Sequence, residues 1–170
     1  MEYINSYFWI FLVIVGAIAS VYILKRFIDL LTGKLPYIIQ PSGLFSNAEK
    51  KFYFQLEKAL KYEFRIFAKV RIADLVAVAP HLSGSAEMRF FNKVSHKHVD
   101  YVICNKKTLD ILAVVELDDT SHLRKDRMER DEFVDKVFKA AGIPIIHIKA
   151  QGHYDIHLLE VKIAQGMYKS

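Results

Sequence analysis

Apolar residues follow two patterns along this chain, and the change between them divides it. From Tyr7 to Leu24 they form an uncharged run, YFWIFLVIVGAIASVYIL, whereas beyond Phe45 they recur at short spacings broken by charged and polar side chains. Coiled as a helix, the first run would span about 27 Å, nearly the thickness of a hydrocarbon core of about 30 Å. Lys25 and Arg26 can snorkel, Phe27, Ile28, Leu30 and Leu31 extend the apolar length, and Trp9 and Tyr22 lie near the ends, where aromatic rings favour the interface. The pattern predicts a transmembrane anchor over residues 1–28. A linker over 29–43 follows, punctuated by Gly33, Pro36, Pro41 and Gly43, and then one folded domain over 44–170.

Within that domain the spacing alternates between helical and extended periods. Ser46 or Asn47 can cap a helix running to about Tyr62, with Glu49 completing a capping box and Phe52, Leu56, Ala59 and Leu60 forming the apolar stripe. From Phe64 to Leu75, Phe64, Ile66, Ala68, Val70 and Ile72 alternate with Arg65, Phe67, Lys69 and Arg71, which predicts a strand with one buried face. Residues 76–96, marked by Pro80, Ser83, Gly84 and Ser85, read as an irregular loop. Two further apolar runs, His98 to Cys104 and one that includes Val114-Val115-Glu116-Leu117, read as strands joined by the polar link Asn105 to Asp110. A helix from about Arg124 to Ala141 is stopped by Gly142 and Pro144. Ile143 to Ile148 predicts a short strand, and a last helix lies within Tyr154 to Met167, offering Ile156, Leu159, Val161 and Ile163 for packing. This order predicts an α/β fold with a mixed sheet covered on both faces, the Arg124–Ala141 helix crossing over between the third and fourth strands.

Candidate chemistry enters with the two middle strands, because each carries a carboxylate. A turn centred on Thr108 sets Cys104 opposite Leu112 and Asp100 opposite Glu116, and the alternation puts His98 and Asp118 on that same face. Like charges opposed at roughly 4.5–5.5 Å between β-carbons are destabilising, so a cation is expected between them. Carboxylates with water and a backbone carbonyl suit hard ions such as Mg²⁺ or Mn²⁺, whereas zinc would call for more His and Cys. Such an ion can acidify water and neutralise charge on a phosphoryl oxygen, which points to phosphodiester chemistry. The competing account is that these acids are ordinary strand-end residues on a solvated face.

Charge and cysteine usage narrow the setting. The net charge of +5 suits an anionic partner, nucleic acid or a lipid surface, although part of it flanks the apolar run. Before that run the only charged side chain is Glu2, whereas Lys25, Arg26 and Lys34 follow it, so the positive-inside rule places the C-terminal domain in the cytoplasm. A cleaved signal peptide competes, with Ala17-Ile18-Ala19 as the small-residue site; the missing basic n-region and the continuing apolar run favour the anchor. Cys104, the single cysteine, lies inside a predicted strand and reads as core in a reducing compartment. Basic and aromatic residues mix from Arg89-Phe90-Phe91-Asn92-Lys93 to His96-Lys97-His98, offering phosphate contacts and a stacking surface. Core packing of the phenylalanines is the alternative. Arg127 and Arg130, at the start of the following helix, are further candidates for phosphate contact.

The element order resembles the αβββαβ core of PD-(D/E)xK nucleases, the restriction-endonuclease-like fold. More closely, Phe45, Phe52-Tyr53, Val70-Arg71-Ile72-Ala73-Asp74, Lys97-His98-Val99-Asp100-Tyr101-Val102, Glu116-Leu117-Asp118-Asp119-Thr120-Ser121-His122, Arg130-Asp131 and Ala141-Gly142-Ile143-Pro144 resemble a bacterial family known as domain of unknown function 2726, over roughly residues 44–150. Its likeness to very-short-patch-repair-type endonucleases implies Mg- or Mn-dependent hydrolysis of DNA; the apolar run lies outside the resemblance, and with its flanking charges it sets the expected place of the protein in the bacterial inner membrane. The resemblance implies Asp100 and Glu116 as metal ligands with the Leu117 carbonyl, Asp118 tuning or sharing the ion, and His122 or a nearby lysine assisting the water. Glu49 matches an acid that some members contribute from the first helix. The departure is Asp118, where the pattern expects lysine. Lys97, His122, Lys125 and Arg130 are candidate replacements, and His98 faces the site more readily than Lys97. Without that lysine, a non-catalytic module binding nucleic acid or protein is the alternative, and a membrane-associated scaffold a third.

Overall fold

A computed structural model describes residues 2–33, 35–118 and 125–168, with side chains from residue 7 onward except those of 125–128. Helix α1 spans Glu2–Leu31. Its stretch Tyr7–Leu31, 25 residues, is long and apolar enough to cross a membrane, and its large apolar side chains are exposed. Residues 1–43 and 44–170 form separate compact units.

The second unit begins with α2 (Asn47–Ala59), and its start is fixed as the sequence predicts. Ser46 Oγ accepts from the Glu49 amide while Glu49 Oε2 accepts from the Ser46 amide at 2.7 Å, closing the capping box. Strand β1 (Phe64–Arg71) runs into a 3₁₀ turn at Ile72–Asp74, so the strand ends earlier than the predicted Leu75. Helix α3 (Gly84–Ser95) occupies most of the segment expected to be an irregular loop. Strands β2 (His98–Asn105) and β3 (Ile111–Asp118) form the predicted hairpin, and α4 (Lys125–Ala141) leads to β4 (Ile145–Lys149) and α5 (Ile156–Met167).

The sheet order is β1-β2-β3-β4, with antiparallel pairs except for parallel β3 and β4. That parallel pair requires the crossover through α4. On one face α2 and α5 bury Phe52, Leu56, Leu159 and Ile163 against Tyr101, Ile103 and Val115; on the other, α4 and α3 bury Val134, Phe138 and Val94 against Val99, Val102 and Val114. Cys104 packs in the second cluster. Val161, expected to pack, is instead exposed.

Two departures from regular alternation shape the site. The first is in β1: Phe64, Ile66 and Ala68 pack with the α2 and α5 cluster, whereas Val70 and Ile72 pack with the α4 cluster. The five residues therefore do not share the single buried face that their spacing predicts. Alternation changes sides around Lys69, which has a left-handed backbone at φ 55°. Opposite it, β2 does the same around Asp100, with Val99 in one cluster and Tyr101 in the other. The second departure is in the hairpin. Cys104 pairs with Ile111, not Leu112, because the register shifts between Ile103 and Cys104. Beyond that shift, Tyr101 pairs with Val115, which places Asp100 and Glu116 next in line, as the acidic pairing requires.

Candidate functional site

A cleft of about 410 Å³ opens where β1, β2, β3 and β4 meet the middle of α4. Asp100 and Glu116 both line it, together with Leu117, Asp118, His98, Lys97, Lys69, Arg130 and His147. The two carboxylates thus lie on one side of the sheet. Asp100 Oδ2 accepts from the Leu117 amide at 3.0 Å, and Asp100 Oδ1 accepts from Lys69 Nζ at 2.8 Å. A strand residue points its N–H and C=O to the same edge, so the Leu117 carbonyl also faces Asp100.

Glu116 is held in tension. Burial comes first, then the charge of Asp100 and a hydrogen bond to it; together they push the Glu116 carboxyl up to about 8 despite the opposing pull of Arg130. A carboxyl so placed keeps its proton at neutral pH unless a cation joins the pair. Oxygen donors only, two of them carboxylates, suit a hard divalent ion that retains several waters. Among the described residues, no three His, Cys, Asp or Glu side chains are grouped to hold a metal. Any ion here would rest on Asp100, Glu116, the Leu117 carbonyl and water.

Lys69 is the residue that the sequence pattern did not single out. It bonds both Asp100 and Glu49, the acid that also caps α2. Burial opposes charge on its amine, but those two hydrogen bonds outweigh it and leave Lys69 above the usual lysine range. Burial pushes the Glu49 carboxyl up, but its bonds to Lys69 and Ser46 together outweigh it and hold the carboxyl below its usual range. The Tyr101 hydroxyl donates to the Glu49 carbonyl at 2.7 Å, tying the start of α2 to β2.

Asp118 serves a different neighbour. His147, the register partner of Glu116 on β4, bonds Asp118 through Nδ1 at 3.1 Å and Asp135 of α4 through Nε2 at 3.0 Å. Burial disfavours its charge, yet the two carboxylates prevail and raise its pKa. Both ring nitrogens of this imidazole thus face carboxylates, and the ring lines the same cleft as the paired acids. Its sequence signal was present: a lone histidine within Ile145-Ile146-His147-Ile148, on a strand next to the acidic one.

Other expected site residues are distributed unevenly. Lys97, His98 and Arg130 line the cleft. Arg89 and Lys93 do not; they lie on α3, each with its cationic group over the Phe90 ring, at 5.6 and 5.5 Å from the centroid. Phe90 and Phe91 are both partly exposed and line an apolar groove between α3 and α4. His122, and the side chains of Lys125 and Arg127, lie outside the described residues.

A four-stranded mixed α/β domain with paired acids in a cleft at one end of its sheet is the class that fold and site define. The family described as "Protein of unknown function (DUF2726)" matches residues 41–166, and the chain belongs to it. Neither the curated proteins nor the solved structures offer a match.

Proposed function

We propose that residues 44–170 form a nuclease of the restriction-endonuclease-like type, which hydrolyses DNA phosphodiester bonds with Mg²⁺ or Mn²⁺. The observation that carries this reading is the convergence of Asp100 and Glu116 in one cleft, with Glu116 pushed up to about 8 beside its partner. When bound, a divalent ion supplies positive charge at the phosphoryl oxygens and a more acidic water. Asp100, Glu116 and the Leu117 carbonyl hold it. Asp118 acts through His147, holding its imidazole next to Glu116 where Asp118 and Asp135 favour its charged form. Lys97 and Arg130 offer positive charge to the DNA backbone. In the overall reaction the water oxygen bonds to phosphorus, one ester P–O bond breaks, and the leaving oxygen ends with a proton.

α1 is the tether in this reading. Lys25, Arg26 and Lys34 follow its apolar run, which puts the domain on the cytoplasmic side of the bacterial inner membrane. DNA near that membrane is then its substrate.

One observation favours a second reading, a non-catalytic binding module. Both oxygens of Asp100 already have protein donors, Lys69 and the Leu117 amide, so the site is internally satisfied without an ion. Incubating the full chain in detergent with supercoiled plasmid and Mg²⁺ or Mn²⁺ separates the two. Nicking that disappears in Asp100→Ala supports the nuclease; plasmid binding with no metal-dependent nicking supports the module.

A further inference from the structure

We propose that Lys69 is a further phosphate-contacting cation of this site, beside Lys97 and Arg130, and takes the part that a lysine at position 118 would play. The inference deepens the hydrolase reading and rests on it for the identity of the ligand, a phosphodiester.

The backbone is the first reason. Among the described residues, Lys69 is the only non-glycine with positive φ inside a strand; Lys61, Tyr62 and Leu109 lie in turns. A side chain in the left-handed region is strained relative to ordinary strand geometry, and glycine would avoid that strain. The distortion is also local to the cleft. β1 and β2 exchange the faces of their side chains at this one place, where Lys69 stands between the pairs Ala68–Tyr101 and Val70–Val99 and so faces Asp100.

Position and donors are the second reason. An ammonium group carries three hydrogens, and among the described residues Lys69 Nζ bonds two acceptors, Glu49 and Asp100. One hydrogen is left for a ligand, and Lys69 lines the cleft that Asp100 and Glu116 share. His147, one rival for that part, is otherwise engaged: both its ring nitrogens face carboxylates. Position 118 holds an acid committed to that histidine. Lys69 is thus anchored from two sides, with a donor left beside the paired acids.

The alternative role is a strut, an ion pair joining α2 to β2, and the two roles diverge under substitution. The full chain in detergent is compared with Lys69→Gly, which suits the left-handed backbone, and with Lys69→Asn, which tolerates it. Three quantities are read: the melting temperature, Mn²⁺ affinity by calorimetry, and binding of a fluorescent phosphorothioate-linked DNA duplex in Ca²⁺. Lys69 as phosphate contact predicts duplex binding weakened about tenfold in both variants, equivalent to one lost charge-assisted hydrogen bond. Mn²⁺ affinity then stays level or rises, since a competing cation has left Asp100, and Lys69→Gly melts no lower than the native chain. Unchanged duplex binding overturns the proposal, as does a loss that tracks a falling melting temperature and weaker Mn²⁺ binding. If the native chain binds the duplex with this Lys69 dependence yet nicks no plasmid, the hydrolase reading fails and the phosphate contact stands. A native chain that does not bind the duplex overturns both.

Discussion

Glu116 sets the pH behaviour of the metal-free domain. Its carboxyl is displaced from the usual 4.5 to about 8, so the folded chain holds a proton between those values that the unfolded chain releases. Stability from this group is complete below about pH 4.5 and declines as pH rises through 8. In EDTA, Glu116→Gln should melt higher than the native chain at pH 9, by on the order of 1–3 kcal/mol, and lose that advantage toward pH 4.5. An equal advantage at every pH would show that the charge of Glu116 is not under tension. His147 has a raised pKa too, but as a base that gains charge. Its contribution is present below its unfolded value of 6.5 and fades as pH climbs past the higher folded value. His147→Gln should therefore cost more stability at pH 6 than at pH 9, by no more than about 1 kcal/mol, because the ring is half-exposed and screened. Thermal melts across that range check the sign.

At the scale of elements, packing around β4 and α5 makes a separate prediction. A Cβ at Gly166 would come within 2.5 Å of Ile146 Cδ1 and Cγ1, and Ile146 is a core residue on β4. Gly166→Ala should cost about 1–2 kcal/mol in spite of alanine's better helix propensity, and combining it with Ile146→Ala should cost less than the sum. Denaturant unfolding of the four chains measures that coupling. The hairpin, by contrast, was legible from sequence alone. Alternating apolar residues and the length of the Asn105–Asp110 link fix its register near the acids, and the slip at Cys104 falls on the turn side, leaving Asp100 and Glu116 in line. α3 was hidden because Ser83, Gly84 and Ser85 read as loop punctuation, outweighing the helical spacing of Ala86, Phe90 and Val94. Lys69 was hidden for a different reason. Regular alternation assigns it to the polar side of β1, and a change of face depends on a backbone angle that spacing does not encode.

Whole-molecule behaviour follows from the uneven distribution of apolar surface. The large apolar side chains of α1 are exposed from Tyr7 to Leu31, whereas the buried ones of the domain are gathered into two clusters either side of the sheet. Anchoring by α1 predicts that the full chain stays with membranes through alkaline carbonate extraction. Leu12→Arg combined with Val15→Arg should release it, since each charge at mid-helix costs about 2.5–3.5 kcal/mol of insertion. Release of the unaltered chain by carbonate would contradict the anchor.

The paired acids remain the centre of the account, and ion binding tests them without any assumption about substrate. With Glu116 displaced to about 8, the site is mostly protonated at pH 7, so an ion joining Asp100 and Glu116 must expel close to one proton. Titrating the full chain with Mn²⁺ calorimetrically at pH 7, in buffers of differing ionisation enthalpy, measures that number. About one proton released per Mn²⁺, with both binding and release lost in Asp100→Asn, is the predicted result. Binding that releases no proton, or that survives Asp100→Asn unchanged, would contradict it.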